Sequence, residues 1–218
     1  MSLIKKSDKI FVAGASGMVG SALCRKLNSN GYGIEKFKGE IYTPSRKELN
    51  LEEYKDVDEW FKKNTPSVIV LAAAEVGGIV ANNSRPADFI LKNLKIQTNL
   101  IDIAFKNKAK RLLFLGSSCI YPKFATQPIT EDALLTKSLE ETNQWYAIAK
   151  ISGLKLCQSL RKQYGFDAIS LMPTNLYGEN DNYDPLESHV LPALIRKFWI
   201  AKEKNLKKVI CWGSGNPL

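Results

Sequence analysis

The sequence of 218 residues predicts a doubly wound α/β fold, in which helices cover both faces of a parallel sheet. Strand-like segments such as KIFVA and VIVLAAA are continuous apolar runs, and they alternate with helix-like segments almost throughout the chain. Such runs are typical of parallel strands that are buried on both faces. The first run also leads directly into a glycine-rich turn. We therefore expect a ligand at the carboxyl ends of the strands.

The elements of this fold are predicted from the apolar runs in chain order. Strands are predicted at six such runs, of which the second is the weakest: 9–13, 33–37, 68–74, 111–115, 168–172 and 209–212. Helices are predicted between or after them, at about 18–28, 51–63, 87–106, 143–164 and 190–202. From Thr174 onward the sequence becomes polar, turn-rich and aromatic, which indicates the start of a second lobe.

The charge of the chain does not predict a nucleic-acid-binding protein, although the formal net charge is +9 and the pI is near 9.3. The lysines are spread over predicted helix faces, and the densest basic run, 106–111, falls at a predicted helix C-terminus. Cations are favoured there by the helix dipole. An anionic small ligand accounts for the charge equally well.

Cysteine usage and hydropathy indicate a protein of the cytoplasm. The four cysteines, at 24, 119, 157 and 211, form no CxxC pair, so neither a metal site nor a disulfide framework is expected. No apolar run approaches the ~20 residues that a membrane-spanning helix needs. The N-terminal segment has no apolar stretch typical of a signal peptide, and we expect no membrane association.

The turn after the first strand has the pattern G-x-x-G-x-x-G at Gly14, Gly17 and Gly20. Glycine lets the backbone turn tightly beside a pyrophosphate, and the N-terminus of the following helix stabilises the negative charge. A purely structural turn would use the same residues, but the position at a strand-to-helix junction favours dinucleotide binding. We therefore predict a Rossmann-type domain over residues 1–173 and a partial substrate lobe over 174–218.

The second βα loop bears on which dinucleotide binds. Glu35 or Glu40 could accept a hydrogen bond from the ribose 2′-hydroxyl of NAD. The loop beyond them contains Ser45, Arg46 and Lys47, and a guanidinium fits a 2′-phosphate with two hydrogen bonds. The sequence therefore favours NADP(H) as the cofactor.

Tyr146 and Lys150 are four residues apart on one predicted helix, which places both side chains on the same face. An ammonium ~4 Å from the phenol would favour the phenolate by about 4 kcal/mol at an effective dielectric of ~20, and that would bring the tyrosine pKa towards neutral pH. A third element, Gly116-Ser117-Ser118, ends another strand of the sheet. The three elements are expected to meet at one edge.

Together these motifs resemble the extended short-chain dehydrogenase/reductase family. Six segments are similar to its branch of epimerase-reductases that act on GDP-4-keto-6-deoxy-D-mannose: LAAAEVGGIVANN, FLGSSCIYPK, YAIAKISGLKLC, MPTNLYGENDNY, SHVLPALIRKF and CWGSG. The resemblance implies that Ser117 steadies a substrate carbonyl, that Tyr146 protonates it, and that Lys150 also holds the nicotinamide ribose. It also implies a homodimer paired through the helices at 87–106 and 143–164.

The resemblance assigns the acid–base pair for epimerisation to Cys119 and to His189, the one histidine in the chain. A 4-keto sugar has acidified hydrogens at C3 and C5, so inversion needs one group to remove a proton and another to deliver one to the opposite face. The sequence leaves open which of the two is the base. Taken alone, Cys119 could equally be a packed small hydrophobe and His189 a surface residue.

Further contacts are implied by the same resemblance. The cofactor would also contact residues of the glycine turn and of four later loops: Ser16, Met18, Val19, Asn50, Leu51, Ala72, Ala73, Leu115, Gly116, Pro173, Asn175 and Leu176. The sugar nucleotide would contact Ser118, Asn175, Lys197 and Trp212, the last of which could instead be packed in a core. Ala15-Ser16 stands where some relatives carry basic side chains, which weakens the NADP(H) prediction slightly.

The resemblance also implies that the substrate lobe of this family continues past CWGSG with an arginine and a further segment. Much of the substrate grip would then lie outside residues 1–218. Two hypotheses follow. The chain is an epimerase-reductase or its catalytic portion, or it is a non-catalytic NADP-binding remnant or a subunit that needs a separate C-terminal partner.

Overall fold

The computed structural model describes residues 3–185 and 187–211. In this part of the chain the strands are β1 (Lys9–Ala13), β2 (Glu40–Tyr42), β3 (Val68–Leu71), β4 (Arg111–Leu115) and β5 (Ala168–Leu171). The helices are α1 (Met18–Ser29), α2 (Tyr54–Asn64), α3 (Ile79–Ser84), α4 (Pro86–Lys106), α5 (Gln144–Tyr164) and α6 (Val190–Glu203). Short 3₁₀ turns occur at Glu35–Phe37, Ser118–Ile120 and Glu131–Ala133.

The strands form one parallel sheet in the order β2-β1-β3-β4-β5. The chain moves outward from β1 to β2 and then returns to the other side of β1 as β3. This reversal creates a crevice between the carboxyl ends of β1 and β3, where ligands of doubly wound folds bind. The predicted α/β fold class is confirmed.

The core lies on both faces of the sheet, as the continuous apolar runs predict. On one face Phe11, Ile69 and Phe114 pack with residues of α2, α4 and α5. On the other face Ile10 and Val12 pack with residues that include Leu27 and Leu23 of α1. Alternate residues of β1 therefore face opposite layers, because successive side chains of a strand point to opposite sides.

Helices α4 and α5 cross closely at Gly153. A Cβ atom at this position would lie 2.6 Å from the ring of Phe114 and 2.9 Å from the side-chain amide of Gln97. Gln97 is buried and donates a hydrogen bond of 2.5 Å to the carbonyl of Ala149. This contact holds the N-terminal half of α5 against α4.

Two predicted strands differ in the structure, and one helix was not predicted. The strand predicted at 33–37 is wrong: Gly31, Gly33 and Lys38 have positive φ values of 74°, 74° and 57°, so the chain turns there and β2 forms later, at Glu40–Tyr42. Residues 209–211 form no strand, and Trp212 lies outside the described residues. The short helix α3 (Ile79–Ser84) was not predicted.

Candidate active site

The glycine turn lies at the crevice between β1 and β3. Gly14 has a φ of +80°, and a Cβ atom there would lie 2.8 Å from the backbone of Ala73 and 2.9 Å from that of Ala72. Its carbonyl accepts a hydrogen bond of 3.1 Å from Gly17. A Cβ atom at Gly20 would collide with the same carbonyl. Positions 14 and 20 therefore require glycine, and the turn is packed against the loop after β3.

The turn leads into the N-terminus of α1. The first turn of this helix, which begins at Met18 and includes Val19, contains no acidic residue, and Gly17 as its N-cap makes no side-chain capping bond. The first N–H groups of a helix have no partner within the helix and carry a partial positive charge. The residues present therefore fit a pyrophosphate beside Ser16 and Gly17.

The loop after β2 lies at the same edge of the sheet as the glycine turn. It carries Arg46, whose exposed guanidinium lies 2.7 Å from the carboxylate of Glu52. The next residues are fixed by hydrogen bonds: the Asn50 side chain accepts one from the Glu52 N–H at 3.1 Å, and the Leu51 carbonyl accepts one from Asn99 of α4 at 3.0 Å. Arg46, Asn50 and Leu51 thus share this edge.

The acidic alternatives for the ribose lie elsewhere. Glu40 pairs in register with Lys9 at the start of β1, whereas Gly14 follows the end of that strand. At ~3.3 Å per residue these positions are separated by the length of the strand. Glu35 precedes β2 in a 3₁₀ turn. Neither glutamate stands at the carboxyl edge.

The end of β4 is joined to the segment after β5. Gly116 donates a hydrogen bond of 2.8 Å to the Leu171 carbonyl, and Ser118 donates one of 3.3 Å to the Pro173 carbonyl. Ser117 is the N-cap of the 3₁₀ turn at Ser118–Ile120, and its hydroxyl accepts a hydrogen bond of 3.3 Å from the Cys119 N–H. This turn places the serine hydroxyl and the half-buried cysteine side by side.

Tyr146, in the first turn of α5, lies beside these two residues. Burial raises the pKa of its phenol, the nearby Cys119 thiol raises this pKa further, and a hydrogen bond with the Ser117 side chain lowers it in part. The phenol therefore holds its proton at neutral pH and is a proton donor. Ser117, Cys119 and Tyr146 form one cluster at the carboxyl end of β4.

Lys150 lies below this cluster and is only 3% exposed. Its Nζ donates a hydrogen bond of 2.8 Å to the Leu115 carbonyl and lies 5.7 Å from the centre of the Tyr146 ring. Burial lowers the pKa of Lys150 to about 8. The prediction that Lys150 brings the tyrosine pKa towards neutral pH is wrong, because burial of the phenol raises the pKa of Tyr146.

The remaining predicted residues lie on other elements. Asn175 and Leu176 are exposed and follow β5, next to β4 in the sheet. His189 is the exposed N-cap of α6, and among the described residues no hydrogen bond joins it to Cys119. Lys197, on α6, donates a hydrogen bond of 3.3 Å to the Ile210 carbonyl.

Buried amides on α4 were missed in the sequence. The Asn93 side chain donates to and accepts from the backbone of Glu75, both at 3.0 Å, and therefore fixes the loop after β3. The signal was present: Phe89, Asn93, Gln97 and Ile101 recur every four residues on the buried face of α4. Polar residues on such a face normally have a specific hydrogen-bonding partner.

No group of three or more His, Cys, Asp or Glu side chains within residues 3–185 and 187–211 is arranged to hold a metal ion. In the same part of the chain, none of the helices is both long enough and apolar enough to cross a membrane.

The glycine turn at the crevice of the parallel sheet, with tyrosine, serine and buried lysine at the end of β4, defines a dinucleotide-binding protein of the short-chain dehydrogenase/reductase type. Residues 10–218 match the NAD dependent epimerase/dehydratase family. The chain belongs to this family.

The chain is similar to proteins named GDP-L-fucose synthase. It is 57% identical to GDP-L-fucose synthase 1 of Arabidopsis thaliana over 217 residues, which cover 100% of this chain and 65% of that protein. It is 51% identical to the GDP-L-fucose synthase of Escherichia coli K12, over 97% of this chain and 64% of that protein. The chain thus spans just under two thirds of the length of these relatives.

Among solved structures, the chain is similar to a GDP-L-fucose synthetase from Naegleria fowleri bound to NADP. The TM-score is 0.85 at 27% identity, and the match covers 99% of this chain and 68% of that chain.

Proposed function

We propose that this chain forms the cofactor-binding and catalytic part of an NADPH-dependent enzyme that converts GDP-4-keto-6-deoxy-D-mannose to GDP-L-fucose by 3,5-epimerisation and 4-reduction. The observation that carries the proposal is the cluster of Ser117, Cys119 and Tyr146 at the end of β4, with Lys150 bound below it. The names of relatives that are 51% and 57% identical support the substrate.

NADP(H) is the cofactor of this proposal. The turn from Gly14 to Gly20, which packs against Ala72-Ala73, would hold the pyrophosphate, and Arg46 on the adjacent loop would bind the 2′-phosphate. Arg46 and the adjacent Lys47 lie on the loop after β2, at the correct edge of the sheet, while Glu35 and Glu40 are not at that edge. The pairing of Arg46 with Glu52 is exposed on the arginine side, so a phosphate can replace or share that partner.

The nicotinamide end lies at the other side of the crevice in this proposal. Leu115 and Gly116 end β4, and Pro173, Asn175 and Leu176 follow β5, so these residues line the nicotinamide pocket together with Lys150. The Lys150 ammonium, which donates a hydrogen bond to the Leu115 carbonyl, would also bind the ribose. NADPH, when bound, supplies the hydride that reduces C4 of the sugar.

Epimerisation precedes reduction and uses proton transfer alone. Cys119 and His189 exchange protons with C3 and C5, one removing a proton from one face of the sugar and the other returning one to the opposite face. Each inversion leaves the number of protons and electrons unchanged. The C4 carbonyl acidifies the hydrogens at C3 and C5. Ser117 binds the carbonyl oxygen and stabilises the negative charge that this atom gains in the enolate.

Reduction uses the tyrosine as its acid. The raised pKa of Tyr146 keeps the phenol protonated at neutral pH, so it can donate a proton to the C4 oxygen as that atom gains charge. The Ser117 side chain lies beside the phenol and orients it in this proposal. Ser118, Asn175, Lys197 and Trp212 hold the sugar nucleotide in this proposal, and Trp212 lies outside the described residues.

We also propose that residues 1–173 form the cofactor domain and residues 174–218 a part of the substrate lobe. The side chains of Val190, Phe198 and Trp199 on α6 are exposed, an arrangement that favours a further segment packing on this helix. This observation also favours the second candidate, in which the chain binds NADP(H) but acts only with the remainder of the lobe supplied by a partner.

The enzyme is proposed to be a cytoplasmic homodimer. Leu91 on α4 and Trp145 and Ile148 on α5 are exposed apolar side chains on two helices that pack together. Pairing of these helices with a second copy would cover them. The free thiols of Cys24, Cys119, Cys157 and Cys211 suit a reducing compartment.

The test incubates the protein with NADPH and GDP-4-keto-6-deoxy-D-mannose in D₂O, and follows NADPH absorbance and deuterium at C3 and C5. It is run on the 218-residue chain and on a fusion that carries the remaining third of the Arabidopsis relative. Uptake and oxidation in either protein support the proposal. Activity in the fusion alone supports the second candidate for the shorter chain.

Tyr146→Phe in the active protein should lower NADPH oxidation by roughly 10² to 10⁴ and leave deuterium uptake in place. If neither protein shows uptake or oxidation although NADPH raises the melting temperature of both, the epimerase-reductase function is wrong and a binding role remains.

A further inference from the structure

The loop after β3 is bound to the segment that leads into α6. Arg85, between α3 and α4, lies 2.7 Å from the carboxylate of Glu187, although the two residues are 102 positions apart. The Glu187 carbonyl also accepts a hydrogen bond of 2.9 Å from the Gly78 N–H. His189, two residues after Glu187, is the N-cap of α6.

The loop that receives Glu187 is itself tightly held. The amide of Asn82, which is buried, donates hydrogen bonds of 2.7 Å and 3.1 Å to the carbonyls of Gly77 and Gly78. Asn93 fixes the backbone of Glu75, and the Glu75 carboxylate lies 3.7 Å from Arg85. Arg85 therefore lies between the carboxylate of Glu75, in the loop after β3, and the carboxylate of Glu187, in the segment that leads into α6.

The loop after β3 and residues 187–188 approach each other so closely that position 78 requires glycine. A Cβ atom at Gly78 would lie 2.5 Å from the Ser188 carbonyl oxygen. The backbone of residues 187–188 is thus seated directly on the loop after β3. The position of the His189 backbone is therefore set by the contacts of residues 187 and 188 with Gly78.

We propose that Arg85 is a positioning residue for His189. Its ion pair with Glu187 fixes the N-terminus of α6, and this places the His189 imidazole so that it faces the sugar. The catalytic consequence of this proposal rests on the proposed function. The contacts between Arg85, Glu187 and Gly78 are independent of that function. A displacement of about 1 Å in a group that transfers a proton can cost on the order of 10²-fold in rate. Loss of Arg85 should therefore lower epimerisation while cofactor binding persists.

The single histidine of the chain makes the test direct, because a protein labelled at the Cε1 position of histidine gives one imidazole signal by NMR. The variants are Arg85→Met and Glu187→Gln, the latter removing only a charge. Arg161→Met is the matched control, since Arg161 of α5 forms an ion pair with Asp167, which directly precedes β5 and is not part of α6 or of the loop after β3. Arg85→Lys tests rescue, because a lysine restores the charge without the two-pronged geometry.

We expect Arg85→Met and Glu187→Gln to shift and broaden the His189 signal, Arg161→Met to leave it unchanged, and Arg85→Lys to restore it in part. Deuterium uptake at C3 and C5 should fall tenfold or more in Arg85→Met, whereas the stabilisation by NADPH should remain. A His189 signal in Glu187→Gln that coincides with the wild-type signal overturns the positioning role, whether or not Arg85→Met folds.

The two proposals fail separately. Wild-type protein without deuterium uptake contradicts the proposed function and leaves the NMR comparison valid. Wild-type protein with uptake, together with an Arg85→Met variant of equal uptake and unchanged signal, contradicts the positioning role alone.

Discussion

The Nζ atom of Lys150 donates a hydrogen bond of 2.8 Å to the carbonyl oxygen of Leu115, the last residue of β4. Helix α5 is therefore bound to the strand at the point where the strand ends. Because Tyr146 is one helical turn before Lys150, the same bond helps to fix the position of the phenol beside Ser117 and Cys119. A buried ammonium is costly to hold, and this cost gives the first prediction.

The stability that Lys150 confers should increase with pH. Its folded pKa, about 8, lies below the ~10.4 of an unfolded chain, so between these values the unfolded state binds more protons and stability rises with pH. Relative to Lys150→Met, the free energy of unfolding of the wild type should rise by about 2 kcal/mol from pH 7 to pH 9.5. Urea unfolding at both pH values measures this difference. A constant difference would mean that the ammonium is solvated.

Removal of Arg46 should change the cofactor preference. Arg46→Ala is expected to weaken NADPH binding by on the order of tenfold or more and to leave NADH binding nearly unchanged, because only NADPH has the 2′-phosphate. Glu52→Gln should strengthen NADPH binding, since Glu52 competes for the guanidinium at 2.7 Å. Titration of both cofactors by fluorescence checks the two variants. An unaltered NADPH/NADH ratio in Arg46→Ala would contradict the NADP assignment.

Asp8 should stabilise the fold above pH 4 and lose this contribution in acid. Burial alone would raise its pKa, but bonds from the Lys5 N–H, Lys110 and Ser67 outweigh this effect and lower it. A carboxylate with a lowered folded pKa contributes stability above its unfolded value of ~3.9 and loses it as the pH falls through the folded value. Asp8→Asn should therefore be less stable at pH 7, and its acid unfolding should be shallower. Circular dichroism between pH 2 and pH 7 follows both.

Gly153→Ala should destabilise the protein by about 1–3 kcal/mol, because the added methyl group would overlap the Phe114 ring and the Gln97 amide. Gly165→Ala is a useful comparison: Gly165 has a φ of +71° but open space around its Cβ position, so only backbone strain of roughly 1 kcal/mol applies. In addition, Gly153→Ala should weaken NADPH binding, since α5 carries Lys150. Thermal unfolding with and without NADPH distinguishes the two variants, and equal behaviour would contradict the tight crossing.

Local sequence patterns predicted the parts of the site that depend on neighbouring residues. The strand–glycine–helix junction at Gly14 and the spacing of Tyr146 and Lys150 are visible in the sequence because each is formed within one or two turns of chain. The second strand was misplaced, since three residues at Glu40–Tyr42 give little apolar signal and two glycines with positive φ precede them.

Contacts between distant segments could not be predicted. The pair of Arg85 and Glu187 joins residues 102 positions apart, and neither side chain belongs to a motif. The hydrogen bond from Lys150 to the Leu115 carbonyl depends likewise on how α5 packs on β4. The burial of Tyr146 also depends on packing, and because burial raises the pKa of its phenol, the result is the opposite of what the spacing of Tyr146 and Lys150 alone suggests.

Deuterium uptake by Cys119→Ser tests the central claim most directly, because the proposed mechanism uses the Cys119 thiol, which lies beside Tyr146, as a proton carrier. In the active protein this variant should lose exchange at C3 and C5 and still oxidise NADPH when supplied with an epimerised 4-keto sugar nucleotide. Exchange at the wild-type rate in Cys119→Ser would contradict the role of Cys119 and with it the proposed mechanism.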